Sequence, residues 1–370
     1  MTRRRDRHHG WRRPAPSNRP APPSAPIATE GSAAPTLALR TGQRVVVTCP
    51  AESVTGGPEA LHQLVDALVA LGADASMAYL VPAPDRTFAE AVVEATVPPP
   101  YRDYRVPLWR APLPDDPDTV VILPEVWSAA VDGFGLARVG LWWLSVDNNL
   151  VSDLGRYFHH PAPRRPPVHL YQSAYAHAYL VRHGVAGAPL GDYLAAAHLA
   201  PAAEAPRGRR IAFNPKKGFE TTLQIIERSL ALGREADWVP IAGLDPAGVR
   251  ALLAGCRVYI DFGPHPGMDR LPREAALAGC CVVTGRRGAA AFAEDVPIPD
   301  PFKVPDADID LAVERIFWCL ESPGASRLFD DYRRWIRGQR AGFFEQVRRL
   351  FGLGRPAAPA TELITSGSRS

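Results

Sequence analysis

The sequence contains no apolar run approaching the roughly 20 residues that a bilayer-spanning helix needs, so no helical membrane span is predicted. Lysine is almost absent: Lys216 and Lys217 are the only two before Lys303, in a chain that otherwise uses arginine as its cation. The five cysteines (Cys49, Cys256, Cys280, Cys281 and Cys319) are odd in number and lack metal-ligand spacing. They sit mostly in apolar runs, where a free thiol behaves as a small hydrophobe. A disulfide scaffold is thereby disfavoured and a reducing, cytoplasmic location expected. Acidic residues are scarce at the N-terminus. Residues 1–39 hold seven Arg and seven Pro against Asp6 and Glu30, with no hydrophobic periodicity. Such a segment buries too little apolar surface to offset its ordering entropy, and residues 1–40 are read as a disordered tail. Its arginines precede no apolar run, so no secretory signal is expected. This tail carries the excess of positive charge, and the remainder is close to neutral. The basic overall balance is therefore no sign of nucleic-acid binding.

What is present is an alternation of buried strands and amphipathic helices. RVVVTCP (44–50) reads as a strand, 58–71 as a helix with Leu61, Leu64, Val65 and Leu68 on one face, and 76–80 as the next strand. Further strands are expected at 119–124, 140–146 and 168–173, followed by a helix at 174–182. The Ala/Pro-rich stretch 200–208 reads as a domain boundary, giving units 41–203 and 204–305. The second unit repeats the pattern, with strands at 209–215, 238–243, 258–263 and 280–285 and helices at 219–230, 246–254 and 272–277. Residues 306–352 read as helices packing back on both units, and 353–370 as a flexible tail. The fold class is α/β: two Rossmann-like, doubly wound domains facing a cleft, with C-terminal helices.

Three constellations could carry chemistry. Gly56-Gly57 lies between a strand and a helix, where it serves either as a tight turn or as an opening for a ligand to reach backbone N–H groups. Asn214-Pro-Lys216-Lys217-Gly218 lies between a strand end and a helix start. There the lysines are either solvated or the counter-charge of a diphosphate. The densest is Asp261-Phe-Gly-Pro-His265-Pro-Gly267-Met268-Asp269-Arg270-Leu-Pro-Arg273-Glu274, which crowds titratable groups into one strand-to-helix loop. Asp269 and Arg270 could simply pair on the surface, but that leaves the Gly/Pro scaffold unexplained. Glu274, in the first helical turn, can accept paired ribose hydroxyls.

These segments, together with the run PREAALAGCCVVTG, resemble GT-B glycosyltransferases of the retaining, nucleotide-sugar-dependent kind over roughly residues 44 to 300. The resemblance implies a nucleotide-diphosphate sugar as donor substrate, with no cofactor and no metal. It assigns Lys216, Lys217, Gly267, Met268, Arg270 and Glu274 to the donor. Gly56 and Gly57 would line the cleft on the acceptor side. Glu125, Asp147 and Ser173 follow strands of the same unit, where each serves equally well as an acceptor contact or as a cap or loop anchor. The family's loop carries two glutamates, of which Glu274 is the second. The first falls at Pro266, and the usual Gly-Phe-Gly is here Gly267-Met268-Asp269. His265 and Asp269 are then the candidate catalytic groups. The expected activity is sugar transfer to a glycan or lipid-linked acceptor in polysaccharide or glycoconjugate synthesis. A silent GT-B-like binding protein and a nucleotide-sugar epimerase are the alternatives. Residues 332–351 have a basic amphipathic pattern, read either as a packing helix or as a peripheral contact with the inner membrane face.

Overall fold

A computed structural model describes residues 36–148, 166–199 and 207–354. Most of the expected N-terminal tail, the 200–206 part of the boundary and the 355–370 part of the C-terminal tail lie outside the described residues. The first unit is a parallel sheet of β1 (Arg44–Pro50), β2 (Asp74–Leu80), β3 (Thr119–Pro124), β4 (Arg138–Trp143), β5 (Val168–Tyr171) and β6 (Gly187–Pro189), in the order β2-β1-β3-β4-β5-β6. The second is a parallel sheet of β7 (Arg210–Phe213), β8 (Asp237–Pro240), β9 (Val258–Asp261) and β10 (Cys281–Thr284), in the order β10-β9-β7-β8. Val45–Val47, Val120–Leu123, Val258–Ile260 and Val282–Val283 are buried, as strands covered on both faces require.

The helices follow from local chemistry. In α1 (Gly56–Ala70), Leu61, Leu64, Val65 and Leu68 face the core. The helix starts before Pro58, so Gly56 and Gly57 form its first turn rather than a preceding loop. Ser173 caps α2 (Ala174–Arg182) by accepting from the N–H of Ala176. A short turn, α3 (Ala196–Leu199), closes the described part of the first unit. In the second unit Gly218, at φ 58°, opens α4 (Phe219–Ala231). Asp245 caps α5 (Pro246–Ala254), which has Pro at its first position. The next helix, α6 (Arg270–Leu277), starts two residues before Pro272, because a proline within the first turn removes no intrahelical donor.

Two C-terminal helices complete the fold, α7 (Ile309–Glu321) and α8 (Asp330–Leu350). Tyr332 and Ile336 of α8 belong to the core of the second sheet, while Phe343, Val347 and Leu350 belong to that of the first. Beside its end, the N–H groups of Leu37 and Leu39 donate to the carbonyls of Leu350 and Phe351, both at 2.9 Å. Of the two readings of 332–351, this is the packing helix: the apolar face of α8 is covered by protein. Arg333 is buried too, donating to the carbonyl of Ala276 at 2.7 Å. Among the described residues no helix is long and apolar enough to cross a membrane.

Phe343 is buried between Trp142 and Tyr193. Phe343→Ala should lower the unfolding free energy by about 3–5 kcal/mol, through lost burial and a residual cavity. Urea denaturation followed by tryptophan fluorescence measures it, and a loss below about 1 kcal/mol would show that α8 is not part of the first core.

Candidate donor and acceptor cleft

The order of each sheet reverses at one place, between β1 and β3 in the first and between β7 and β9 in the second. Open parallel sheets bind ligands beyond their carboxyl ends at such switch points. Here the two points face one another across a cleft of about 910 Å³. The floor on the second side is made by the turn after β7, with Asn214, Lys216 and Lys217, and by the loop after β9, with Pro264 and Pro266 to Arg270. Those two segments touch backbone to backbone. A Cβ on Gly218 would lie 2.5 Å from the Gly263 nitrogen, and one on Gly263 would lie 2.5 Å from the Cβ of Lys217, so neither position admits a side chain.

The loop after β9 also docks on the first unit. Val146 N–H donates to the Pro266 carbonyl at 3.0 Å, and Met268 N–H donates to Oε1 of Gln172 at 3.1 Å. A Cβ on Gly267 would lie 2.2 Å from the Leu144 carbonyl oxygen. Glycine is therefore required here by the approach of the two units. Pro266, in place of the family's glutamate, contributes a carbonyl to that contact.

Two arginines extend this contact, one beside the cleft and one beneath it. Arg270, at the start of α6, donates to Glu59 Oε2 at 2.5 Å, to Glu274 Oε1 at 3.2 Å and to Nε2 of His198 at 2.9 Å. A guanidinium only donates, so Nε2 of His198 is the unprotonated nitrogen. Burial lowers the His198 value and so agrees with a neutral ring. Burial also raises the carboxyl of Glu59 above its ordinary range, more than Arg270 lowers it. Arg273 is fully buried and makes a bidentate pair with Asp192, both bonds at 3.0 Å. It also donates to the carbonyls of Met268 and Asp269 and to Oε1 of Gln339 on α8. Sequence reasoning assigned roles to neither Arg273 nor its partner, nor to Glu59 and His198. Their pairings span 81, 211 and 72 residues, beyond any local pattern.

The sequence-derived candidates are thus placed as follows. Gly56, Gly57, Glu125, Asp147, Lys216, Lys217, Gly267, Met268, Asp269 and Arg270 all line the cleft. Lys216 is exposed, and among the described residues its ammonium has no ion-pair partner; Lys217 pairs with Asp269 at 2.7 Å. Asp147 accepts from the Tyr175 hydroxyl at 2.9 Å. Three candidates stand elsewhere. Ser173 is buried as the cap of α2 and does not face the cleft. Glu274 is buried against Arg270 rather than open to a ribose. His265, expected as a catalytic group, is fully buried behind the loop and is not part of the cleft lining. Its ring nitrogens lie 3.5 Å from Asp261 Oδ1 and 3.1 Å from Asp269 Oδ2. Asp261, His265 and Asp269 are also the three metal-type donors that lie close together among the described residues. Lys217 donates to Asp269 Oδ2 at 2.7 Å, while the two ring nitrogens of His265 make no hydrogen bond among the described residues. The five cysteines are buried and free.

Glu125 follows β3 and accepts from the Leu144 N–H at 3.1 Å. Burial pushes its carboxyl up to about 7 despite this bond and that from the Ser145 N–H. It and Asp192, which is paired with Arg273, are buried acids of the first unit that line the cleft.

The two facing parallel sheets, crossed by the last helix, are the GT-B fold of glycosyltransferases. Solved structures sharing it include a glycosyltransferase from Rickettsia africae, at 12% identity and TM-score 0.56 over 84% of this chain and 97% of that one. HepE of Anabaena, solved with UDP-glucose, matches at 13% identity and TM-score 0.55 over 83% of this chain and 98% of that one. TarM matches at 12% identity and TM-score 0.52 over 64% of this chain, spanning only 55% of its own length. At these identities the likeness establishes the fold. No protein-family model and no curated protein sequence matches the chain.

Arg273→Ala should cost about 3–5 kcal/mol in unfolding free energy, because it leaves Asp192 charged, buried and unpaired. Chemical denaturation checks this, and a loss within about 1 kcal/mol would show the pair to be solvated. Glu125 gives a pH dependence. The folded state holds its proton more tightly than the unfolded chain, so its contribution to stability is complete below the ordinary value of 4.5 and is lost as pH rises through about 7. The stability of the wild type relative to Glu125→Gln should therefore fall by roughly 2–3 kcal/mol between about pH 4 and pH 8. A difference flat with pH would mean that this carboxyl ionises as freely in the folded protein as in the unfolded chain.

Proposed function

We propose that the chain is a glycosyltransferase which takes a sugar from a nucleoside-diphosphate donor and passes it to an acceptor hydroxyl held on the first unit. The observation that carries this reading is the placement of Lys216 and Lys217, nearly the only lysines of the chain, at the strand-end switch point of the second sheet. A diphosphate set between the β7 turn and the loop after β9 meets both ammonium groups and the loop's backbone. The apolar wall formed by Ile241, Leu244 and Val249 lies at the same end of the cleft and suits a nucleobase. Arg270 turns from Glu59 toward the diphosphate when the donor binds, which frees Glu274 for the ribose. The acceptor lies near Gly56, Gly57 and Glu125. A carboxyl with a value of about 7 is matched to taking a proton from a hydroxyl at neutral pH. Uridine is the first base to test, since HepE was solved with UDP-glucose and an E. coli relative in fold with UDP-2-fluoro glucose. Adenine is the second, from a starch synthase solved with ADP.

One observation favours a binding protein without turnover: Pro266 stands where the resembled family has a glutamate, and its carbonyl is held by Val146. Thermal unfolding with millimolar UDP, ADP and their sugars separates the readings. The expected result is a raised midpoint with one nucleotide, diminished in Lys217→Ala, together with release of that nucleotide from its sugar. A shift without release in the presence of candidate acceptors leaves the binding protein. No shift with any nucleotide removes the donor site altogether.

A further inference from the structure

His265 lies behind the cleft wall with no exposed surface; its Nδ1 is 3.1 Å from Asp269 and its Nε2 3.5 Å from Asp261, within ion-pair distance of both carboxylates, although neither nitrogen makes a hydrogen bond among the described residues. A neutral imidazole has one N–H and would turn a lone pair toward one of these anions; the imidazolium suits both. The main chain that carries the ring is held in place. The His265 carbonyl accepts from the Ala289 N–H at 2.8 Å, and a Cβ on Gly288 (φ +61°) would lie 2.0 Å from that oxygen. Asp261 is fixed by the Tyr259 hydroxyl, which donates to Oδ2 at 2.9 Å, and by the Gly263 N–H, which donates at 3.1 Å to Oδ1, the oxygen nearest His265. Asp269 is shared with Lys217, whose Nζ is 2.7 Å from its Oδ2. A chain of alternating sign results, Asp261, His265, Asp269 and Lys217, of which all but His265 line the cleft. Asp306, which also feels the charge of the ring, pairs with Arg287.

We propose that His265 is a positioning residue for the donor: its charged ring clamps Asp261 and Asp269 together and so holds Lys217 over the diphosphate position in a surround without excess negative charge. This deepens the donor reading and rests on it. With the ring charged, the four groups sum to zero. With the ring neutral they carry one net negative charge against an incoming diphosphate, and Asp269 loses the cation that shares it with Lys217. Burial works against the charged ring, but the two aspartates outweigh it and raise the His265 value above the ordinary 6.5. The sign of the pH effect follows. Nucleotide affinity is full while the ring keeps its proton and falls as pH rises through the raised value, above the range in which the nucleotide's own phosphate titrates.

The test is calorimetric titration of the full chain with UDP, and with ADP in parallel, between about pH 7 and pH 9.5, repeated with His265→Gln and in the presence of a chelator. The wild type should weaken by about tenfold over this range. His265→Gln should bind about tenfold more weakly at pH 7 and lose the pH slope. The chelator should change nothing. Nitrogen-15 spectra of the histidine-labelled wild type, which need neither variant nor ligand, should show both His265 nitrogens protonated at pH 7. A neutral ring at that pH overturns the proposal. So does a folded His265→Gln protein with wild-type affinity and slope. Nucleotide binding that requires a divalent cation and is lost in His265→Gln also overturns it, since the three side chains would then be a cation site. If neither nucleotide binds the wild type, the donor reading fails and the clamp loses its role at the donor, whatever the spectra show of the ring.

Discussion

The pair between Arg273 and Asp192 is the contact on which the rest of the site hangs. One fully buried guanidinium holds a carboxylate of the first unit, two carbonyls of the loop after β9 and a side chain of α8. A charge removed from water in this way is tolerated only when nearly all its donors are used, and here they are. The cleft takes its shape from it. With Met268 and Asp269 fixed through their carbonyls, the loop meets Leu144 and Gln172 at backbone distance, and Gly267 becomes the only residue that fits.

The cleft built on that contact is poor in free charge. Lys217 is matched by Asp269, Arg270 by Glu59 and Glu274, and Arg273 by Asp192. Lys216 is the cation of the cleft lining that has no ion-pair partner among the described residues. A diphosphate bound as proposed would have to compete with carboxylates for most of its partners. That competition would couple its entry to rearrangement of Arg270, and so to the contact between the two units.

Much of the fold was legible in the sequence, because its signals are local. Residues 174–182 and 246–254 were read as helices to the residue, and the structure caps them with Ser173 and Asp245. The strand Gly187–Pro189 was missed, since Gly-Ala-Pro has neither β-branching nor alternation. The start of α6 was placed late because Pro272 was taken as its first residue. The candidate loop was legible as a crowded strand-to-helix turn, but the exposure of its members was not. His265 and Asp269 are four residues apart, yet one is sealed and the other open to the cleft. Glu59 and Asp192 were invisible as site residues because their arginines come from another part of the chain.

The last helix has a consequence for how the protein is made. Phe343, Val347 and Leu350 finish the core of the first sheet, although they are synthesised after every strand of both sheets. The first unit emerges from the ribosome with the seat of α8 uncovered and with Leu37 and Leu39 lacking their backbone partners. It has to wait, with apolar surface showing, until the second unit has been translated. Completion of the fold is thus a late event that joins the two ends of the described chain, a contact of very long sequence separation that slows closure and leaves the nascent first unit dependent on protection from aggregation.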